Sequence, residues 1–197
     1  MTETSVRVML VDDHSLVREG VRHVLTGIPG FEIVAEAGDG DTALRLAPDS
    51  QPDVVVLDLS LPGLSGLEVT TQLRTLLPEM RVLILSVHDH PEYVLGAVRA
   101  GAQGYLRKDT SPGELRDAIR ALARGESYFS PPVARHLRAA VRGDTPADDP
   151  GARLARLTPR EREVLGGIAK GETSRAIATR LGLSPRTVES YRDSLAR

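Results

Sequence analysis

Val54-Val55-Val56-Leu57-Asp58-Leu59-Ser60-Leu61-Pro62-Gly63 opens with four apolar residues and meets its first charge at Asp58. A strand with one wet face alternates apolar and polar side chains; this run does not, so it suits a strand covered on both faces. Further short apolar or β-favouring runs lie on either side, at Val6 to Val11, Glu32 to Ala35, Val82 to Leu85 and Gly104 to Leu106. Helical periodicity fills the gaps near Leu16 to Leu25, Thr42 to Leu46, Gly66 to Leu76, Tyr93 to Ala100 and Leu115 to Ala123. Five strands alternating with five helices predict a five-stranded parallel, doubly wound α/β sheet. Ser111-Pro112-Gly113-Glu114 reads as a capping box opening the last of these helices.

Open sheets of this kind bind ligands beyond the C-terminal ends of their strands, so the polar residues at those ends are the candidates for chemistry. Asp12 and Asp13 end the first strand, Asp58 the third and Ser86 the fourth, while Lys108 follows the fifth just after Tyr105. Three crowded carboxylates repel one another, and a hard divalent cation such as magnesium relieves that repulsion while leaving positions for phosphate oxygens. Asp58 is then a nucleophile for phosphorus, with Ser86 and Lys108 bonding the transferred oxygens. Taken singly, each residue has a duller reading, as a helix cap or a solvated lysine. Lys108 is less ordinary, because it and Lys170 are the only lysines among 25 basic residues, and a compact ammonium suits a crowded phosphate pocket. The five histidines, His14, His23, His88, His90 and His136, show no metal-ligand spacing. His88 and Ser60 each stand two residues past a site residue, where they could face a phosphoryl group or be solvated loop positions.

Composition narrows the class. With 41% hydrophobic and 26% charged residues, the 197-residue chain has enough apolar content for an ordinary domain and a small second one. Zero cysteines exclude disulfides, thiolate zinc sites and thiol nucleophiles. No apolar stretch is long enough to cross a bilayer and Met1 to Arg7 lacks the features of a secretory signal, so a cytoplasmic protein is expected. The net charge of −2 hides an asymmetry: residues 1–143 carry about −4 and residues 151–197 about +5. Gly143 to Gly151, rich in Asp, Pro and Gly, reads as a linker between them.

The basic tail has its own pattern. Thr158-Pro159-Arg160-Glu161 reads as a capping box, and Val164, Leu165 and Ile168 form an apolar stripe before Gly171. Thr173 to Leu181 gives a second helix with Ala176, Ile177 and Leu181 inward. Gly182-Leu183 turns the chain, and Ser184-Pro185 starts a third helix at Arg186. Val188 and Leu195 are assigned to its core side, while Arg186, Glu189, Ser190, Asp193 and Arg197 form a polar stripe that a DNA major groove can receive.

Val11-Asp12-Asp13-His14, Val56 to Gly63, Leu85-Ser86-Val87 and Gly104-Tyr105-Leu106-Arg107-Lys108 together resemble the receiver family of two-component response regulators, over nearly all of residues 6–125. The resemblance implies a flavodoxin-like fold with Asp58 as the phosphorylation site. It also implies magnesium held by Asp13, Asp58 and the Ser60 carbonyl, support from Asp12 through water, and a switch formed by Ser86 and Tyr105. Asp109 departs from the pattern, since many receivers carry a cis proline after the lysine, and the geometry of that bond is left open.

Leu157 to Leu165, Ile177 to Leu181 and Leu183 to Glu189 resemble the LuxR-type helix-turn-helix of NarL/FixJ-class regulators. That resemblance implies phosphate contacts from Lys170, Arg186 and Thr187 and base reading by Glu189, Ser190 and Asp193. The expected organisation is a receiver at 1–125, a connecting helix and flexible linker at 126–153, and a DNA-binding domain at 154–197. The class continues past the recognition helix with a fourth helix, which the sequence ending at Arg197 does not include. The third helix is therefore expected to fray toward Ala196 and Arg197, and specific binding to be weak. The implied function is a DNA-binding transcription regulator rather than an enzyme, with a sensor histidine kinase and DNA as partners and a homodimer when activated. An aspartate-dependent phosphatase is a rival reading, but Ser60 stands where such enzymes carry a second Asp. A ligand-sensing LuxR regulator would not need Asp12, Asp13, Asp58 and Lys108 together. A receiver that docks only proteins would not retain DNA.

Overall fold

The computed structural model describes residues 5–142, 159–184, 187–189 and 191–192. The chain divides into two compact units, Met1–Thr145 and Pro146–Arg197. In the first, β1 (Val6–Val11), β2 (Phe31–Ala37), β3 (Val54–Leu57), β4 (Arg81–Ser86) and β5 (Gly104–Arg107) alternate with α1 (Ser15–Leu25), α2 (Gly40–Ser50), α3 (Gly66–Leu76), α4 (Pro91–Ala100) and α5 (Pro112–Ala123). All strand pairs are parallel. The order is β2-β1-β3-β4-β5-β6, so the sheet has six strands where the sequence predicted five. The extra strand, β6 (Tyr128–Phe129), is two residues long, too short to show a period, and lies along β5.

Side-chain alternation explains why the strands carry so few polar residues. Met9, Val11, Val55, Leu57, Val82, Ile84 and Tyr105 point to one face, where α2, α3 and α4 supply Ala43, Ala47, Val69, Leu73, Val94 and Ala97. Val8, Leu10, Val54, Val56, Leu83, Leu85 and Leu106 point to the other, against Val21 and Leu25 of α1 and Leu115, Ile119 and Leu122 of α5. Both faces are dry, as the unbroken Val54 to Leu57 run required. The residues after the expected boundary at 125 add to this same body. In α6 (Pro131–Arg142), buried Val133 and partly buried Leu137, one helical turn apart, pack into the first core.

Capping departs from the sequence reading in detail. Ser111 Oγ accepts from Glu114 N (3.2 Å), but the Glu114 carboxylate accepts from the Thr110 hydroxyl (2.5 Å), so only half of that box forms. A complete, unexpected box opens α3: Ser65 Oγ accepts from Glu68 N (3.3 Å) and Glu68 Oε2 from Ser65 N (2.8 Å).

In the second unit, α7 (Pro159–Ala169) and α8 (Ser174–Leu181) precede helical residues 187–189 and 191–192. Thr173 caps α8 by accepting from Ala176 N (3.2 Å), and Gly182, left-handed at φ 65°, ends it. Ser184 starts the third helical stretch, its Oγ accepting from Thr187 N (3.1 Å). Val164, Ile177, Ala178 and Val188 form the small core, flanked by Ile168, Leu181, Leu183 and Tyr191. One assignment is corrected: Ala176 is exposed and Ala178 is buried, because Ile177, Ala178 and Leu181 share one face at helical spacing. The expected linker at Gly143 to Gly151, the cap residue Thr158, Pro185, and Leu195 to Arg197 lie outside the described residues.

Candidate functional site

Sheet register builds the site. Val11 pairs with Leu57, Leu57 with Ile84, and Ser86 with Arg107, so the residues next in line arrive at one edge. The ladder runs one bond further: Asp58 N donates to Val11 O (2.9 Å) and Lys108 N to Ser86 O (2.9 Å). Asp12, Asp58 and Ser86 are buried there, at 6%, 3% and 0% exposure. Behind Asp58 the chain returns into α3 through Gly66, whose N–H donates to Leu59 O (3.0 Å). A Cβ on Gly66 would stand 2.6 Å from Leu59 Cα and collide with the Asp58 carbonyl, so only glycine allows this close return.

Lys108 Nζ lies 2.6 Å from Asp12 Oδ2 and 2.8 Å from Asp58 Oδ2. Burial pulls the ammonium toward neutrality, but the hydrogen bonds and charges of Asp12 and Asp58 outweigh that and hold its pKa above the usual lysine value. The other oxygen of Asp58, Oδ1, is buried with no hydrogen-bond partner among the described residues. Asp12 Oδ1 accepts from His14 N (2.9 Å), and Asp13 is exposed at the rim. Asp12, Asp13, His14 and Asp58 each bring one possible ligand atom to within 4.8 Å of the others. A buried carboxylate oxygen without a partner, among carboxylates that a single ammonium does not neutralise, fits a hard divalent cation. Ser60 lies half-buried two residues beyond Asp58.

The structure also shows which groups surround Ser86 and Tyr105. Ser86 Oγ accepts from His88 N (3.2 Å), and the fully buried Tyr105 donates its hydroxyl to His88 O (2.5 Å). Burial pushes the Tyr105 phenol above its ordinary value. The His88 ring stacks on Tyr93 of α4, centroids 4.7 Å apart. Sequence reasoning missed two arginines here. Arg18 of α1 donates to the Asp12 carbonyl, and Arg107 joins Asp89 (2.5 Å) and Asp109 (2.9 Å). Asp109 and then Asp89 raise the Arg107 pKa. The Arg107-Asp109 spacing was the available signal: opposite charges stand two residues apart where the strand ends in a turn, with Thr110 N donating to Arg107 O (3.1 Å). No peptide bond among the described residues is cis, so the bond before Asp109 is trans.

In the second unit, Lys170 is exposed just beyond α7 and Glu189 is exposed on the third helical stretch. Thr187 is half-buried, with its hydroxyl 2.7 Å from Ser184 Oγ. Arg186, Ser190 and Asp193 lie outside the described residues.

Comparison with known proteins matches both units. Residues 8–120 match the response regulator receiver domain, and residues 155–197 match bacterial regulatory proteins of the luxR family. The chain is 42% identical over 194 residues to the nitrate/nitrite response regulator protein NarP of Escherichia coli, covering 98% of this chain and 88% of that protein. It is 40% identical over 195 residues to the uncharacterized transcriptional regulatory protein YxjL of Bacillus subtilis, covering 97% and 88%. A LuxR-family two-component response regulator from an Aurantimonas species superposes with a TM-score of 0.67 at 41% identity, over 71% of this chain and 99% of that one. The two-component response regulator RcsB in complex with DNA gives a TM-score of 0.65 at 26% identity, over 98% and 90%.

Proposed function

This chain belongs to the two-component response regulators that join a receiver domain to a LuxR-type DNA-binding domain, and on that premise we propose how its residues control transcription. Asp58 is the phosphoryl acceptor. The observation that carries this reading is its carboxylate, buried at the sheet edge with one oxygen on Lys108 and the other without a partner among the described residues. An Asp58 oxygen attacks the phosphorus of a phosphohistidine on a cognate sensor kinase. The phosphorus–nitrogen bond breaks, and the electron pair stays with the departing imidazole.

Asp13, Asp58 and the Ser60 carbonyl are the residues that would hold magnesium, with Asp12 supporting it through water. Bound magnesium neutralises charge gathering on the phosphoryl oxygens. Lys108 exchanges its carboxylate partner for a phosphoryl oxygen, and the Ser86 hydroxyl donates to another. Ser86 is already tied to His88, whose carbonyl holds Tyr105, so moving Ser86 alters the environment of the Tyr105 hydroxyl. Any such shift favours one conformation only by bonding better in it.

The activated chain acts as a homodimer on DNA. Lys170, Arg186 and Thr187 contact phosphates, and Glu189, Ser190 and Asp193 face base edges. Residues 1–125 receive the signal, 126–153 connect, and 154–197 bind DNA. The protein works in the cytoplasm as a regulator and catalyses nothing beyond its own phosphorylation; no helix among the described residues is long and apolar enough to cross a membrane.

The test is intact mass and DNA retention over a salt series, with and without a small acyl-phosphate donor. One added phosphoryl group, lost in Asp58→Asn, and tighter but salt-sensitive DNA retention are expected. Equal labelling of Asp58→Asn would remove the acceptor assignment, and no DNA retention at any salt would remove the contacts given to the tail.

A further inference from the structure

The helix α6 falls within the stretch 126–153, to which the reading above gives only the task of connecting. Its inner face is accounted for, with Val133 and Leu137 in the receiver core. Its outer face is not. From Ser127 to Gly143 the sequence carries Arg135, His136, Arg138 and Arg142 and no acid, whereas each of α1 to α5 carries at least one Asp or Glu. Arg135 and Arg138 are exposed, and neither has an ion pair or hydrogen bond among the described residues. They stand three residues apart, so their Cβ atoms lie about 5–6 Å from each other on one side of the helix. The neighbouring α4 packs against α6 and adds Arg99, likewise exposed and without such a partner. The acid of α4, Glu92, is half-buried at the opposite end of that helix, in its first turn.

Unpaired like charges held side by side repel one another, and an extended anion running past them relieves that repulsion. The receiver as a whole has the opposite sign: residues 1–143 carry about −4, so a face of arginines alone is the side on which a polyanion meets attraction. Guanidinium suits phosphate because its planar fork of donors pairs with two oxygens at once. Such a partner is within reach, since the tail is assigned to DNA and residues 143–158, which separate it from α6, can span at most about 55 Å. We propose that Arg135 and Arg138 of α6 form a second, sequence-independent DNA contact, bonding backbone phosphates that flank those held by the tail. The inference rests on the reading that the tail binds DNA. Each contact of this kind releases a condensed counterion, so it registers in how steeply binding falls with salt and brings no new base preference.

The test measures retention of mixed-sequence duplexes of about 40 and about 12 base pairs by the full chain over a salt series; the shorter duplex offers little beyond the one helical turn that a single helix-turn-helix covers. The unaltered chain is compared with Arg135→Gln/Arg138→Gln, with Arg135→Lys/Arg138→Lys, and with Lys170→Gln as a reference for the tail. Circular dichroism and the unfolding midpoint check that each variant is folded. On the long duplex the Gln pair should flatten the logarithmic salt slope by about 1.8, so the gap to the unaltered chain widens about tenfold over a fourfold drop in salt, and the Lys pair should keep the slope. On the short duplex the Gln pair should match the unaltered chain, whereas Lys170→Gln should flatten the slope on both. A slope unchanged by the Gln pair on the long duplex, or flattened equally on both duplexes, would overturn the proposal. Slopes left alone while light scattering shows lost self-association would also overturn it, making the arginine face a contact between copies. An effect of Lys170→Gln with none from the Gln pair removes the α6 contact alone; failure of the unaltered chain to retain either duplex removes the DNA reading and this inference with it.

Discussion

The two units place their functional residues by opposite means. At the sheet edge, Asp12, Asp58, Ser86 and Lys108 come from four strands and meet because the parallel register brings them level. In the tail, Thr187 and Glu189 share one short helical stretch, set by the Ser184 cap and by Val188 in a core of four buried residues. The first arrangement spreads its dependence across a two-faced core, whereas the second concentrates it in one cap and a few apolar contacts. Damage should therefore propagate differently, and substitutions in either unit can break or sharpen the contrast.

The largest expected effect is at Asp58. Asp58→Asn should abolish labelling by an acyl-phosphate donor, read by mass spectrometry. Lys108→Ala should still label but respond weakly in DNA affinity, because Lys108 contacts the product rather than supplying the nucleophile. Equal loss in both would show that the lysine is needed for the transfer itself. Next comes Ile177→Ala, which empties much of the tail core and should cost about 2–5 kcal/mol locally. DNA retention should collapse while labelling at Asp58 persists; loss of labelling as well would mean that the units are not energetically separate. Gly66→Ala should do the reverse, destabilising the receiver by about 1–3 kcal/mol in a denaturant titration and slowing labelling, because the β3–α3 return must open. The smallest effect is Ser184→Ala, which removes the cap on the third helical stretch at a cost of about 1 kcal/mol. Thermal unfolding of the tail should register it, and retention on DNA should weaken only modestly.

Much of this contrast was legible in the sequence. The receiver strands announced themselves because a parallel strand buried on both faces has no polar alternation, and the polar residues that end them mark the chemistry. What escaped has particular causes. Tyr128–Phe129 is too short to carry a period. The pattern puts Ala176 inward, yet Ala176 is exposed and Ala178, nearly opposite it on the helix, is buried, since alanine gives little contrast between faces. The contact of His14 with Asp12 and Asp13 has no counterpart in the spacing among histidines, because its partners are the carboxylates immediately before it. The Ser65–Glu68 box was visible as residues three apart, but nothing local distinguished it from the half-formed box at Ser111.

The two-residue strand β6 also bears on how crowded copies of this protein behave. An uncovered β5 would offer a row of free amides and carbonyls on which a neighbouring chain could grow a strand. Here Tyr128 and Phe129 pair with Gly104 and Tyr105, and the chain leaves at once through Pro131 and Pro132, neither of which has an amide hydrogen to donate. The cover spans only the first two residues of β5 and is itself two residues long, so it offers little edge on which another strand could pair.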